Sequence, residues 1–304
     1  MSELKKITAI ILTYKTPKDI ILYCIKSLSR EIKIIIVENS KNFEHQKLIK
    51  KKFPKIKIFC TGKNLGYGMG NNFGLSKTKT DYALILNPDV VCEKNFFKNL
   101  PKVIRDIKNF DIIGCQYLKD KVFVPAGFFN PKKNDEFKKK FLSNKIEKLA
   151  KVEWVTGCSM LLNLKKLDKK NIFDKKYFLY FEEFDLCKSI IDKGGFVYTS
   201  KDLKIHHLGF KSSIGKNSFE KEDAINIKNW HWMWSWFYFY KKNYSFFHAL
   251  FKLYGKLTKS FFKTIFYFIT NQKNQKNKYL YRFLGLLNSI IGRSSFYRGQ
   301  KKIN

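Results

Sequence analysis

The sequence predicts an α/β fold, with a mostly parallel sheet flanked by helices and then a basic helical extension. Three observations predict it. Strand-like and helix-like stretches alternate through the first half of the chain, the pattern of parallel strands joined by right-handed crossovers. The short β-branched runs among them lack polar alternation, as strands covered on both faces require. From residue 224 to 304 there is neither Asp nor Glu, while aromatic residues and lysines crowd together.

The elements follow in order. ITAIILTY at 7–14 forms the first strand. Thr16, Pro17, Lys18 and Asp19 open an amphipathic helix that runs to Leu28, with proline near the start, where its missing N–H is harmless. IKIIIVEN at 32–39 and IKIFC at 56–60 are the second and third strands, and Gly62 to Asn72 is a Gly/Asn loop. YALILNPD at 82–89 is a fourth strand ending in a turn, and 96–107 is helical. Ligands of such sheets bind at the carboxyl ends of the strands. Thr13 and Tyr14, Glu38 and Asn39, Asn64, and Asn87 with Asp89 all stand there. The composition changes near 222–230, which divides the chain into 1–225 and 226–304.

The 304 residues carry 60 Lys+Arg against 25 Asp+Glu, a net charge of +35, with 44% hydrophobic and 17% aromatic residues. That apolar content excludes a disordered polycation. With 16 Gly and 6 Pro, a collagen or linker composition is excluded as well. Net charge speaks to partners and not to fold, so nucleic acid, an anionic membrane and plain drift toward Lys, Asn, Ile and Phe all remain open. Six scattered cysteines, without a CxxC pair, predict neither a zinc site nor a disulfide framework. The N-terminal apolar run is too short for a signal peptide. No run of about 18 apolar residues suggests a spanning helix. The expectation is a cytoplasmic protein.

Four motifs could carry chemistry. NLGYGMGNNFG at 64–74 is neither a dinucleotide fingerprint nor a P-loop, since the third glycine and the Gly-Lys-Ser/Thr are missing. Its glycines, from Gly66 on, still allow close backbone approach to a ligand. Asn87 and Asp89 flank a proline at a strand end and offer oxygen ligands for a hard divalent cation. Glu182, Glu183 and Asp185 lead a helical segment. They are either favourable charges at a helix N-terminus or a general base whose aromatic neighbours Phe178, Tyr180, Phe181 and Phe184 raise its pKa. His206 and His207 could complete a metal shell or be structural.

YxxPxxIxxCIxSL (14–28), IIIVENS (34–40), NLGYGMGNN (64–72), LILNPDV (84–90), WVTGCSMLL (154–162), FLYFEEFDLC (178–187) and HHLGFKS (206–212) occur in this order. The ordered set resembles the family 2 glycosyltransferases, in the rhamnosyltransferase-like branch that builds bacterial surface polysaccharides. The likeness covers about residues 5–215. It implies a GT-A-type, Rossmann-like fold with a nucleotide-sugar half at about 1–115 and an acceptor half at about 116–225. The implied activity is inverting transfer of a sugar from a nucleoside diphosphate, with dTDP-rhamnose the leading donor, to a hydroxyl of a growing lipid-linked bacterial surface glycan.

The resemblance also implies roles. Thr13 and Tyr14 flank the nucleotide. Glu38, where relatives carry Asp, lies with Asn39 near the base or ribose. Asn64, Gly66 and Asn71 stand beside the nucleotide and diphosphate. Asn87 and Asp89 form the metal motif, in which Asp89 holds Mg²⁺ or Mn²⁺ with His206 as second ligand, or His207 if the register shifts by one. Glu183, where relatives carry Asp, is the general base for the acceptor hydroxyl. Asp185 is a separate acid of the catalytic segment, structural or acceptor-binding. Trp154, Gly157 and Glu182 line the donor and acceptor sugars. The Glu38 and Glu183 departures keep a catalytically inactive relative as the alternative.

Beyond that likeness, Lys252, Lys256, Lys259 and Lys263 recur at spacings of 4, 3 and 4, within an arc of roughly 60°. Leu250, Leu253, Tyr254, Leu257, Phe261, Ile265 and Phe268 gather opposite, and Phe266 sits with the lysines. Such a basic amphipathic helix suits an anionic membrane interface. The other reading is a hairpin packed on the catalytic domain. Trp230, Trp232, Trp234 and Trp236 are too dense for one buried face and suit the membrane boundary. A nucleic-acid-binding tail would interleave bases with aromatics, but here the lysines are segregated from them, and no nucleic acid is expected. The chain is therefore placed peripherally on the inner face of the cell membrane, with a nucleoside-diphosphate sugar and a glycan acceptor as partners.

Overall fold

A computed structural model describes residues 2–119, 121–122, 126–143, 145, 148–169, 171–208 and 218–299. They form two compact units. The first comprises Met1–Leu65, Met69–Phe173 and Leu186–Ser213, the second Gly66–Gly68, Asp174–Asp185 and Ile214–Asn304.

The first unit is built on strands β1 (Ile7–Thr13), β2 (Lys33–Glu38), β3 (Lys57–Cys60), β4 (Tyr82–Leu86), β5 (Val90–Cys92), β6 (Ile112–Lys119), β7 (Lys121–Val122), β8 (Ala126–Gly127), β9 (Leu149–Val152), β10 (Trp154–Val155), β11 (Ser159–Asn163) and β12 (Val197–His207). Its helices are α1 (Lys18–Lys26), α2 (Gln46–Lys52), most of α3 (Tyr67–Ser76), α4 (Phe96–Asp106), α5 (Pro131–Leu142) and all but the first residues of α6 (Glu182–Asp192). The main sheet runs β3-β2-β1-β4-β11-β6-β12-β5, with β7 beside β6 and β9 beside β12; β8 and β10 pair separately. β3, β2, β1 and β4 are mutually parallel, and β11 enters antiparallel between β4 and β6. The central strand β1 buries Ile7, Ala9, Ile10 and Ile11 completely. Both of its faces are covered, so the sequence shows a run and not an alternation.

One expectation is corrected. The Gly/Asn stretch read as a loop over 62–72 becomes helical at Tyr67 and continues as α3 to Ser76. The glycines serve packing. A Cβ on Gly70 would come within 2.6 Å of Leu12 Cδ1, and one on Gly74 within 2.6 Å of Ile10 Cγ2. α3 therefore lies flat on β1, and this close approach overrides the low helix propensity of glycine.

The second unit is a bundle of α7 (Ser218–Asn243), α8 (Phe246–Ile269) and α9 (Lys273–Ile290). Ser245 starts α8 by accepting the His248 N–H at its Oγ, 3.0 Å away. Met233 and Phe237 on α7, Ala249 and Leu253 on α8 and Leu286 on α9 form its core. Trp230 and Trp234 belong to the interior of this unit and not to a membrane boundary. Trp230 and Trp234, one turn apart, are buried and stacked, with Tyr177 and Tyr281 beside them. Trp236 packs on Phe181 on the other side, and Trp232 alone of the four is exposed. A helix covered on two faces buries Trp230 and Trp234 on one and half-buries Trp236 on the other, and Trp232 stays at the edge. Among the described residues, no helix is long and apolar enough to cross a membrane.

Candidate functional site

In the first unit the strand ends do gather polar groups. Glu38, at the end of β2, is buried, and its two oxygens accept from Thr13 Oγ1 at 2.7 Å, Ser40 Oγ at 2.7 Å and the Lys15 N–H at 3.3 Å. Three donors keep that carboxylate satisfied away from water. Asn39 Nδ2 donates to Asn64 Oδ1 at 3.0 Å, and Asn39 Oδ1 accepts from the Leu65 N–H at 2.9 Å. The pairs expected beside a nucleotide, Thr13 with Glu38 and Asn39 with Asn64, are thus brought together. Tyr14 is exposed next to them, and Asn71 is buried in α3.

The N-P-D turn closes with Val90 N–H donating to Asn87 O at 3.2 Å, while Asn87 N–H donates to Cys158 O at 2.9 Å. This turn delivers Asp89 into a fully buried position. Neither carboxylate oxygen has a hydrogen-bond donor among the described residues. His207 Nε2 stands 3.2 Å from Oδ1, close enough for charge but without the direction of a hydrogen bond. Burial, then the Asp89 charge, push the Cys24 thiol up to about 12. β12 pairs antiparallel with β5, His207 opposite Val90 and His206 opposite Val91. Strand alternation sends His206 to the other face, where it meets Glu93 at 3.2 Å. The residue expected as second ligand therefore does not stand beside Asp89; its neighbour does. The rest of that motif, 209–212, lies outside the described residues.

A buried carboxylate lacking donors is costly, and a divalent cation is the group that would relieve it. Oxygen and imidazole nitrogen suit Mg²⁺ or Mn²⁺ with substrate oxygens completing the shell, so Asp89 and His207 fit the implied metal. Elsewhere in the first unit, Trp154 is half-buried on β10, donating from Nε1 to Phe128 O at 3.2 Å, and Gly157 is buried just before β11.

The acidic segment belongs to the second unit. Gly66 adopts φ +84, and a Cβ there would meet Phe178 O at 2.2 Å; Tyr67 N–H donates to the same oxygen at 2.9 Å. Only glycine fits. Tyr180 and Phe181 both sit at φ 70, left-handed conformations that non-glycine residues reach only under constraint. The strained pair immediately precedes Glu182 and Glu183. Glu182 is buried, with no hydrogen-bond partner for Oε1 among the described residues. Burial, then the adjacent Glu183 charge, raise its pKa well above the usual carboxylate range.

Asp185 is engaged differently. Its oxygens accept from Lys242 Nζ at 2.6 Å, Asn243 Nδ2 at 3.0 Å and Tyr177 OH at 3.3 Å. Lys242 also donates to Asp174 at 2.8 Å, which accepts from Tyr238 OH at 3.0 Å. Burial works against the Lys242 charge, but its hydrogen bonds to Asp174 and Asp185 outweigh it and hold the ammonium above its ordinary value.

The pattern of the glycosyl transferase family 2 matches residues 8–169. The chain belongs to this family. The low-salt glycan biosynthesis hexosyltransferase Agl10 of Haloferax volcanii is 25% identical over 193 residues, covering 60% of this chain and 61% of that protein. The rhamnosyltransferase WbbL of Escherichia coli is 23% identical over 153 residues, 42% of this chain and 55% of that one. The chain thus matches less than two thirds of either relative's length. In fold it is similar to GalNAc-T7, solved with UDP, GalNAc and Mn²⁺, with a TM-score of 0.54 at 11% identity over 85% of this chain and 58% of that one. The fold is of GT-A type, as the sequence predicts.

In this family 2 chain Asp174, Tyr177, Lys242 and Asn243 carry no signal in the sequence that marks them as neighbours of the acidic segment. No local spacing links a lysine in α7 to an acid 57 positions earlier; only the bundle brings them together.

Proposed function

We propose that this family 2 chain transfers a sugar from a nucleoside diphosphate to a hydroxyl of a glycan acceptor, with inversion. The observation that carries the reading is Asp89, a buried carboxylate with no hydrogen-bond donor among the described residues, beside His207 at a strand end. In the proposed step, Glu183 takes the proton of the acceptor hydroxyl as its oxygen attacks the anomeric carbon. The bond from that carbon to the diphosphate oxygen breaks, and its electron pair leaves with the nucleoside diphosphate. A Mg²⁺ or Mn²⁺ ion held by Asp89 and His207 would supply charge neutralisation for the departing diphosphate. Thr13, Tyr14, Glu38, Asn39, Asn64 and Asn71 face the nucleotide, with Glu38 shaping that end through its internal hydrogen bonds. Gly66, Trp154, Gly157 and Glu182 serve the diphosphate and sugar positions, Asn87 the turn that aims Asp89, and Asp185 the positioning of the acidic segment. Residues 1–225 form the catalytic part and 226–304 the extension.

The rhamnosyltransferase name of one relative favours a rhamnosyl donor; dTDP-rhamnose as that donor, and a lipid-linked surface glycan at the inner membrane face as acceptor, complete the proposal. A thermal-shift screen of UDP, dTDP and GDP with Mn²⁺ tests the donor class, because a ligand bound to the folded state raises the melting temperature. Asp89→Ala should lose the Mn²⁺-dependent shift, and Glu183→Gln should keep it. Each should cut transfer by about 10²- to 10⁴-fold with the circular dichroism spectrum unchanged. Full activity in either variant would sink the assignment.

A further inference from the structure

We propose that the outer face of α8 is a docking surface for an anionic lipid bilayer. Phe247, Phe251, Tyr254, Thr258, Phe262, Ile265 and Ile269 follow one another at spacings of 4, 3, 4, 4, 3 and 4. They form one stripe, roughly 80° wide at ~100° per residue. Its members are among the most exposed apolar side chains of the protein: Phe247 78%, Phe251 83%, Phe262 66% and Ile269 75%. At 1.5 Å per residue the stripe is about 33 Å long. Water-facing helix surfaces carry polar residues, and here Thr258 is the single one.

The opposite side of α8 is already covered. Ala249, Leu253 and Ser260 are buried, and Leu250 and Leu257 pack against the same bundle core. Of the apolar arc that the sequence singles out, Leu250, Leu253 and Leu257 face the bundle, whereas Tyr254, Phe261, Ile265 and Phe268 stay exposed. The bundle takes half of the apolar arc and leaves the aromatic half open.

Charge selects the occupant. Lys259 and Lys252 are exposed about 60° and 80° beyond one edge of the stripe at ~100° per residue, Lys256 turns further round to the Trp236 ring, 5.9 Å away, and no residue from 224 to 304 is acidic. A protein partner would have to match an aromatic strip and a lysine row with no carboxylate to guide register. A negatively charged plane matches both at once. The rings enter the headgroup boundary, and the lysines reach the phosphates along their own stems. Because α8 cannot cross a bilayer, it lies flat. This gives a surface to the membrane location in the reading above. It rests on the exposure and charge of α8 alone, so it stands or falls separately from sugar transfer.

The test is flotation of the full chain with vesicles of phosphatidylcholine, with and without phosphatidylglycerol. Binding is expected to the anionic vesicles, with loss in high salt, and little to phosphatidylcholine alone. Phe251→Glu/Phe262→Glu should weaken binding at least about tenfold while leaving the melting curve and turnover on a soluble acceptor unchanged. Lys252→Gln/Lys256→Gln/Lys259→Gln should remove the preference for anionic lipid. Equal vesicle binding by wild type and the phenylalanine variant overturns the proposal. So does a concentration-dependent dimer, dispersed by that variant, in a wild type that ignores vesicles; that result gives the face to a second copy of the chain.

Discussion

Glu182 and Glu183 are adjacent in sequence, and their surroundings set them apart. Glu182 is buried directly after the strained Tyr180–Phe181 turn, and burial, then the Glu183 charge, raise its pKa well above the usual carboxylate range. The unfolded chain releases the Glu182 proton near the ordinary carboxylate pKa of 4.5. Between that value and the raised folded value, the native state binds more protons than the unfolded one. Stability contributed by the protonated Glu182 is therefore complete below 4.5 and is lost as pH rises through the folded pKa. Glu182→Gln keeps the shape and removes the titration. Its melting temperature should exceed that of wild type at pH 8, and the gap should shrink at pH 4. A gap equal at both pH values would show that Glu182 does not titrate in this way. At this scale the acids of the site were legible, because a carboxylate behind an apolar strand or before a helix stands out. The choice between His206 and His207 was not, since only the pairing of β12 with β5 fixes which imidazole turns toward Asp89.

Elements are where the sequence reads best and also where it misleads. β1, β2, β3 and β4 were visible as apolar runs because a parallel sheet buries both faces. α3 was hidden, because its glycines answer to Leu12 and Ile10 across the packing and not to their own helical neighbours. The start of α6 was visible as a set of acids, but not what holds it. Asp185 is nearly inaccessible and depends on Lys242 and Asn243 at the end of α7. Lys242→Met should cost about 2 kcal/mol, below the 3–5 typical of a broken buried pair, because Lys242 is partly solvated. The double variant Lys242→Met/Asp185→Leu should be less destabilised than the sum of the single variants, since it removes the buried Asp185 carboxylate that Lys242→Met strands, while Asp174 keeps the Tyr238 hydroxyl in both. Denaturant melts of the four proteins measure this coupling. Additive losses would mean that the contact contributes nothing specific.

On the whole-molecule scale, the net charge of +35 divides by role. The described carboxylates of the candidate site are few and each is placed, whereas 224–304 has none. The sequence offers this segment either as a membrane helix or as a hairpin packed on the catalytic part, and its first helix takes part in holding the acidic segment. α7 buries Trp230 and Trp234 beside Tyr177, Ser235 Oγ donates to Leu179 O at 2.8 Å, and Lys242 and Asn243 hold Asp185. Residues 174–185, which include the proposed base, thus take their neighbours from the basic segment. A chain cut after Asp223 should lose transfer even to a soluble acceptor without any membrane, because the turn at Tyr180–Phe181 no longer has the packing that sustains two left-handed residues. Phe251→Glu/Phe262→Glu, which touches only the outer face of α8, should keep that activity. Assaying both on one soluble acceptor separates the two roles of the segment. Full activity in the truncated chain would leave the extension without a part in transfer and the strain before Glu182 supported from within 1–223.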